Sequence, residues 1–195
     1  MNTLVLSSTD HHHRSRLLEG MAHAVARKGY ADTTIADIVR EASVSRRTFY
    51  EHFATKAECL VALYEAASRN ALQVLRDAID PRHGWEEQLE RALGAYLGCM
   101  AAAPVLMRTL FIEILGLGPA GLQARRRVNQ EIAAYMLEVV NRSPSREALT
   151  PDLAMAVVGG IHELVLQAIE DGKVTELPQL TATAAELVKA VAHRG

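Results

Sequence analysis

The sequence predicts an all-α protein in two parts, with a small N-terminal three-helix domain that contains a helix-turn-helix and a larger helical domain after it. Apolar residues recur at helical spacing along most of the 195 residues. Alanine and leucine dominate, and only 5% of residues are aromatic, which favours helices over sheets. Two segments begin with Thr followed three residues later by an acidic residue, which is the pattern of a helix-capping box.

The N-terminal region is predicted to be an arm followed by one helix. Residues 1–13 are expected to form a flexible arm. The three consecutive histidines within the arm are a poor metal site, because adjacent side chains do not converge on one ion. The first helix is predicted from about Arg14 to Lys28, with Gly29 as its end. The sequence predicts no metal site and no cofactor.

Two short helices that meet at a tight turn are predicted between Thr33 and Lys56. Thr34 and Asp37 form a capping box for the first of them, and Ser45 can cap the second. A pair of helices with this spacing is typical of a helix-turn-helix, in which the second helix enters the major groove of DNA. The three-helix domain is therefore expected to occupy residues 14–60.

The second helix of this motif has two distinct faces. Phe49 and Phe53 are four residues apart and face inward, so Arg46, Arg47 and Tyr50 face outward. Arginines at a helix N-terminus oppose the helix dipole and stabilise the helix poorly. Contact with phosphates or with guanine is the better explanation for them, although a solvated basic helix end is the alternative.

The segment TTIADIVREASVSRRTFYEHFATKAECL resembles the DNA-binding domain of TetR-type transcriptional regulators, and the resemblance covers about residues 14–63. Ser43 stands where that family usually has Gly, and Val39 where it usually has Ala. A positive φ at Ser43 would therefore carry strain. For His52, packing or capping is an equal alternative to a DNA contact. The pattern and the resemblance together predict the following DNA-binding residues: Thr34, Ser45, Arg46, Arg47, Thr48, Tyr50, His52 and Lys56.

Six more helices and no enzyme motif follow. The helices are predicted at about 55–79, 85–103, 104–115, 119–141, 151–171 and 180–193, with a polar loop over 141–149. Residues 61–195 would form the larger domain, which in TetR-type proteins binds a small-molecule effector. The alternative for each candidate side chain is ordinary core packing. The candidate effector-binding residues are Tyr96, Met100, Met107, Arg108, Phe111, Met136 and His162.

The eighth helix is apolar nearly all round, which suggests that a second chain covers part of it. Val158 and Ile169 lie on the face predicted to need this cover, and Gly159-Gly160 would let another helix approach closely. TetR-type proteins dimerise through their last two helices, so the resemblance also implies a homodimer. A helix buried within one chain is the alternative.

These observations predict a ligand-responsive repressor that acts as a homodimer on a near-palindromic DNA operator. A net charge of −2 argues against a nonspecific architectural DNA-binding protein, and a helical enzyme that processes small molecules is the other alternative. The sequence shows no convincing signal peptide or membrane span. The distant cysteines Cys59 and Cys99 are expected to be reduced thiols. The predicted location is the cytoplasm.

Overall fold

The computed structural model describes residues 3–80, 82–142 and 148–192, and it describes side chains from residue 11 onward. Every regular element in these ranges is a helix, which confirms the predicted fold class. Short 3-10 helices span Glu113–Leu117 and Val174–Leu180. The α-helices are α1 Thr3–Asp32, α2 Ile35–Ala42, α3 Arg46–His52, α4 Lys56–Asp77, α5 Trp85–Ala101, α6 Pro104–Phe111, α7 Pro119–Val140, α8 Pro151–Glu170 and α9 Thr181–Ala192.

Helix α1 begins at Thr3, so the predicted start at Arg14 was wrong, and residues 3–13 are helical instead of forming an arm. No glycine or proline precedes Gly20, and nothing in that stretch of sequence interrupts a helix once it has formed. The predicted stop is confirmed, because Gly29 has a φ of 75° and a ψ of 166° and breaks the helical backbone.

The compact units of the structure differ from the predicted domains. The first unit comprises Met1–Ala67 and Arg108–Ala124, and the second comprises Ser68–Met107 and Arg125–Gly195. The expected boundary near residue 60 therefore lies inside α4. A stretch from the middle of the chain also belongs to the first unit, which a division made in chain order does not anticipate.

The core of the first unit forms where α1 and α2 meet closely. A side chain at Gly20 would place its Cβ 2.7 Å from the carbonyl oxygen of Ile38, so only glycine allows this approach. Phe49 of α3 is fully buried in the same unit. Fully buried apolar side chains shared by α1, α2, α3 and α4 are Leu17, Met21, Ile38, Phe49, Cys59 and Leu60.

The second unit is built from α5, α7, α8, α9 and the last part of α4. One of its core clusters joins α5, α8 and α9, and includes Leu93, Val157, Ile161, Ala184, Ala185 and Val188. Helix α6 ends earlier than predicted, and the second 3-10 helix lies in a stretch predicted as loop. Residues 143–147 of the predicted polar loop, and residue 193 at the predicted end of α9, lie outside the described residues.

Helix α8 corrects the prediction about which face needs a second chain. Val158 is 2% exposed and Ile169 is 8% exposed, so both are already buried within one chain. The buried residues of α8 recur at helical spacing and form one stripe that includes both of these positions. Among the described residues, α8 is the one continuous helix long and apolar enough to cross a membrane, with a mean hydropathy of 1.4, but core helices share this property.

Candidate nucleic-acid interface and apolar cavity

Helix α2 is fixed at its N-terminus by the predicted capping box. The Asp37 N–H donates to Thr34 Oγ1 at 3.2 Å, and the Thr34 N–H donates to Asp37 Oδ2 at 3.0 Å. The Asp37 carboxylate also accepts from Lys28 Nζ at 2.8 Å and from Arg40 Nη2 at 2.8 Å. The hydrogen bond from Lys28, followed by those from Thr34, holds the pKa of Asp37 far below its usual range. This carboxylate thus joins the end of α1 to the start of α2.

The turn between α2 and α3 places Ser43 at a positive φ, the conformation that was expected to carry strain in a serine. Ser43 has a φ of 50° and a ψ of 46°, which is the left-handed conformation. Its N–H donates to the Arg40 carbonyl at 3.2 Å, and its own carbonyl accepts from Arg16 Nη2 at 2.9 Å. Arg16 therefore ties α1 to the turn that sets the angle between the two motif helices.

Helix α3 is oriented by its cap and by its aromatic residues. The Thr48 N–H donates to Ser45 Oγ at 3.0 Å, as the predicted cap requires. Phe49 is fully buried, and Phe53, at the C-terminal end of the helix, is 5% exposed. With these rings inside, the opposite side of α3 faces solvent.

The outward side of α3 carries the predicted reading residues. Arg46 is exposed, the Arg47 side chain is 89% exposed, and Tyr50 is 59% exposed. Arg47 Nε donates to Glu51 Oε1 at 3.1 Å, an exposed pair that is worth little energy and leaves the guanidinium accessible. The predicted orientation is found, and contact of these side chains with DNA stays a prediction.

The remaining predicted DNA-binding residues differ in how far they reach outward. Thr34 and Ser45 are exposed at the N-termini of α2 and α3, but their hydroxyls already serve as caps. Thr48 is half-buried and shares a 2.9 Å hydrogen bond with Ser45. His52 is half-buried beside Phe53, with 6.3 Å between ring centroids. These positions shape the motif, and their contacts with DNA stay predictions.

Lys56 has a role that the sequence did not indicate. Its ammonium donates to the backbone carbonyls of Tyr30 at 2.8 Å, Thr33 at 2.7 Å and Ala31 at 3.4 Å. The same group lies 4.2 Å from the centre of the Tyr30 ring. An ammonium has three donors, and the three carbonyls use them, so these donors are not available for the predicted phosphate contact.

A second residue from a distant part of the sequence contacts the same segment. Glu113 Oε2 accepts from the Tyr30 N–H at 3.1 Å, across 83 positions of sequence. The segment after Gly29, where the chain passes from α1 to α2, is therefore held through the Tyr30 N–H and through three backbone carbonyls. No local motif signals this contact, and sequence reasoning had assigned Glu113 no part in the DNA-binding domain.

The predicted effector-binding residues are divided between the two units. Arg108 is exposed and, with Phe111, belongs to the first unit. The other five candidates belong to the second unit, where Met100 and Met107 are each 5% exposed and fit ordinary core packing. Met136 is the candidate that lines a cavity.

Tyr96 and His162 form a buried polar pair in the second unit. The Tyr96 hydroxyl lies 2.9 Å from His162 Nε2, and the two rings are stacked with centroids 6.5 Å apart. Burial, with a smaller contribution from the charge of Arg125, lowers the pKa of His162 to about 4. The imidazole is therefore neutral at physiological pH.

An apolar cavity of about 60 Å³ lies between α4, α5, α7 and α9 of the second unit. Most of its lining is aliphatic or aromatic and comes from residues near the ends of α4 and α7 and the start of α5. Sequence reasoning missed this cavity because apolar lining and apolar core have the same helical spacing. The side chains that form its walls include Leu75, Ile79, Trp85, Leu89, Met136 and Val139.

Residues 17–63 match the sequence profile of the bacterial regulatory proteins of the tetR family. These residues span α2 and α3 and the start of α4, where the caps and the outward arginines lie. The matched region coincides with the predicted helix-turn-helix domain. It therefore identifies this part of the chain as a DNA-binding domain.

Relatives support the same class over longer stretches. The fatty acid metabolism regulator protein of Bacillus subtilis (strain 168) is 20% identical over 186 residues, covering 91% of this chain and 94% of the regulator. YxbF of the same strain, an uncharacterized HTH-type transcriptional regulator, is 30% identical over 94 residues. That match covers 48% of this chain but only 25% of YxbF, so the chain spans a quarter of that relative.

The fold agrees with solved structures of this class. The transcriptional regulator FadR from Bacillus subtilis, crystallised with stearoyl-CoA, has a TM-score of 0.73 at 18% identity. The likeness covers 92% of this chain and 99% of the FadR chain, and it shows a shared fold. With the profile match over residues 17–63 and the regulators among its relatives, the chain has a DNA-binding domain of the tetR family type and shares the fold of TetR-type regulators. These relatives are not enzymes, which decides against the enzyme alternative.

Proposed function

We propose that this regulator is a ligand-responsive repressor that binds a near-palindromic operator as a homodimer in the cytoplasm. The observation that carries the proposal is the outward face of α3. Arg46, Arg47 and Tyr50 project from a helix whose other face is held by buried Phe49. Arginine pairs with the O6 and N7 atoms of guanine through two hydrogen bonds, which suits sequence reading in the major groove.

The proposed dimer places α8 and α9 against the same helices of a second chain. A Cβ at Gly159 would meet nothing within 4 Å in the single chain, whereas a Cβ at Gly160 would lie 3.4 Å from Leu187. Gly160 therefore serves packing within the chain, and Gly159 leaves an open position where a partner helix could approach. Ala156 and Ala182 are exposed and small on the same two helices.

An effector is proposed because relatives of this fold bind small molecules and the second unit contains a cavity. The FadR crystal structure holds stearoyl-CoA. In this chain, the effector would bind the second unit and favour a conformation of the dimer with weaker operator affinity. A ligand shifts such an equilibrium only by the difference between its affinities for the two conformations.

The test is a selection of bound sequences from random double-stranded DNA with the purified full chain, combined with sedimentation. We expect two inverted half-sites with centres about one helical turn apart, or a multiple of it, bound by an even number of chains. The Arg126→Ala variant, altered at an exposed arginine of α7, serves as a control and should select the same sequences. Binding without any enriched sequence would support the architectural alternative and contradict the proposal.

A further inference from the structure

The cavity in the second unit offers a ligand almost only hydrocarbon. Leu75 of α4, Leu89 of α5 and Ile79 from the segment between these helices line it, and Met136 and Val139 line it from α7. An ionised group placed among these side chains would lose its hydration without gaining a partner. The flexible Met136 side chain allows the volume of about 60 Å³ to adapt to an occupant.

The charged groups next to this lining in the sequence are already paired within the protein. Lys189, which follows the lining residue Val188, contacts Glu86 at 3.1 Å and Glu90 at 2.9 Å. Arg91 contacts Glu87 at 3.8 Å. An anionic ligand would have to displace one of these carboxylates to reach a cation.

In the segment between α4 and α5, the basic side chains are also paired with carboxylates of the protein. Arg82 contacts Asp80 at 2.7 Å, and His83 lies between Asp80 at 3.3 Å and Glu87 at 3.2 Å. The Arg82 hydrogen bond lowers the pKa of Asp80 to about 2, so this carboxylate stays ionised near neutral pH. The acidic side chains of this segment therefore oppose the approach of another anion.

On the α7 side, the charges are balanced around Tyr135. Arg76 lies 4.8 Å from the centre of the Tyr135 ring, and Arg142 pairs with Glu138. Arg76 stacks on this ring, and the charges of Asp77 and Glu138 act on the same tyrosine with the opposite sign to those of Arg76 and Arg142. Burial raises the pKa of Tyr135, so its hydroxyl stays neutral.

One lining residue, Gln88, carries an amide that already serves the fold. Gln88 Nε2 donates to the His83 carbonyl at 2.6 Å, which fixes the amide orientation. The surface that the cavity exposes is apolar, so it favours a neutral ligand over an ionised one.

We propose that this cavity binds a small, neutral, largely hydrocarbon molecule, and that it discriminates against a carboxylate of the same length. The inference rests on the proposed function, because it names the chemical class of the effector. The binding itself can be measured without DNA. A failure of ligand binding and a failure of operator recognition are therefore separate results.

The chain contains a single tryptophan, Trp85, and this residue lines the cavity, so its fluorescence reports occupancy directly. The experiment titrates the full chain with octan-1-ol and, separately, with octanoate at pH 7.5. We expect a saturable change with octan-1-ol and at least about tenfold weaker binding of octanoate, because the carboxylate would be buried without a partner. Equal or tighter binding of octanoate would overturn the inference, as would the absence of a saturable change with octan-1-ol.

Variants that fill the cavity test whether the signal comes from this site. Val139→Phe, or Ile79→Phe if the first variant unfolds by circular dichroism, should weaken octan-1-ol binding at least about tenfold by occupying the free volume. Val105→Phe is the matched control, since Val105 is 58% exposed on α6, and it should bind octan-1-ol like the unmodified chain. Unchanged binding in a folded cavity-filling variant would overturn the assignment.

Discussion

In the first unit, polar side chains fix the turns of the backbone, whereas in the second unit mainly apolar contacts hold the helices together. Of the buried polar or charged side chains that the structure describes, Thr33, Asp37 and Thr109 belong to the first unit and His162 to the second. A polar contact demands one geometry, but an apolar contact tolerates small shifts. The first unit is therefore suited to present α3 in one orientation, and the second unit is suited to adapt to a ligand.

The largest expected effect comes from breaking the proposed dimer, which would act through the second unit of each chain. Gly159→Arg should leave the single chain folded, since a Cβ there has open space, but it should block the approach of a second α8. Loss of simultaneous contact with two half-sites should weaken operator binding on the order of 100-fold or more. Sedimentation and operator titration measure both effects.

The matched control for this variant is Gly98→Arg on α5, where a Cβ would also meet nothing within 4 Å. It should remain dimeric and bind the operator normally. A dimer in Gly159→Arg with unchanged operator affinity would show that the chains associate through another surface.

The second prediction concerns the one buried histidine that the structure describes in the second unit. The pKa of His162 is about 4 in the folded chain against an ordinary value of 6.5, so the unfolded chain binds more protons between these values. This group therefore stabilises the fold fully above about pH 6.5 and loses its contribution of roughly 3 kcal/mol as the pH falls to about 4.

Denaturant unfolding of the unmodified chain and of His162→Gln at several pH values tests this prediction. The free energy of unfolding should fall less steeply in the variant between pH 6.5 and 4. His11→Gln, at an exposed position, should keep the steeper fall. Identical slopes in all three proteins would contradict a buried neutral imidazole.

The third prediction concerns Lys56, which holds the segment after Gly29 in the first unit. Lys56→Met leaves three carbonyls without their charged donor and should lower the free energy of unfolding by about 2 kcal/mol. Affinity should fall for every DNA sequence, with no change in the salt dependence of binding. A phosphate clamp would instead reduce the salt slope by about one per chain without loss of stability.

The fourth and smallest effect concerns the strained turn. Ser43→Gly should raise the free energy of unfolding by about 0.5–1 kcal/mol, because glycine adopts a positive φ without the steric penalty of a side chain. Thermal unfolding measures this change, and Ser45→Gly, which removes the cap of α3, should have the opposite sign. Destabilisation by Ser43→Gly would show that the serine side chain has a favourable contact.

In the first unit, contacts between residues close in sequence were predicted, whereas contacts between distant residues were not. The capping pair Thr34 and Asp37 and the cap Ser45 were predicted because such contacts span three residues. The Glu113 contact with Tyr30 spans 83 positions, and no local pattern encodes it. The carbonyls that accept from Lys56 are likewise 23–26 positions away in the sequence, so no local pattern indicated these contacts.

For the second unit, the sequence predicted the helices, but it did not predict which apolar side chains line a cavity and which lie in the core. Met136 was selected and lines the cavity, but Met100 and Met107 were selected on the same grounds and lie in the core. A methionine at helical spacing has the same sequence signal in both environments. Likewise, Val158 was predicted to face a second chain, and the packing of its own unit buries it.

The most direct test of the account is whether Arg47 reads a base. The Arg47→Ala variant and the unmodified chain are titrated against the selected operator and each of its single-base variants at two salt concentrations. The account predicts that Arg47→Ala loses about 1–3 kcal/mol of discrimination at one base pair in each half-site, while helicity and dimerisation stay unchanged. An equal loss of affinity for every sequence, with a smaller salt slope, would make Arg47 a phosphate contact and contradict the proposed reading face of α3.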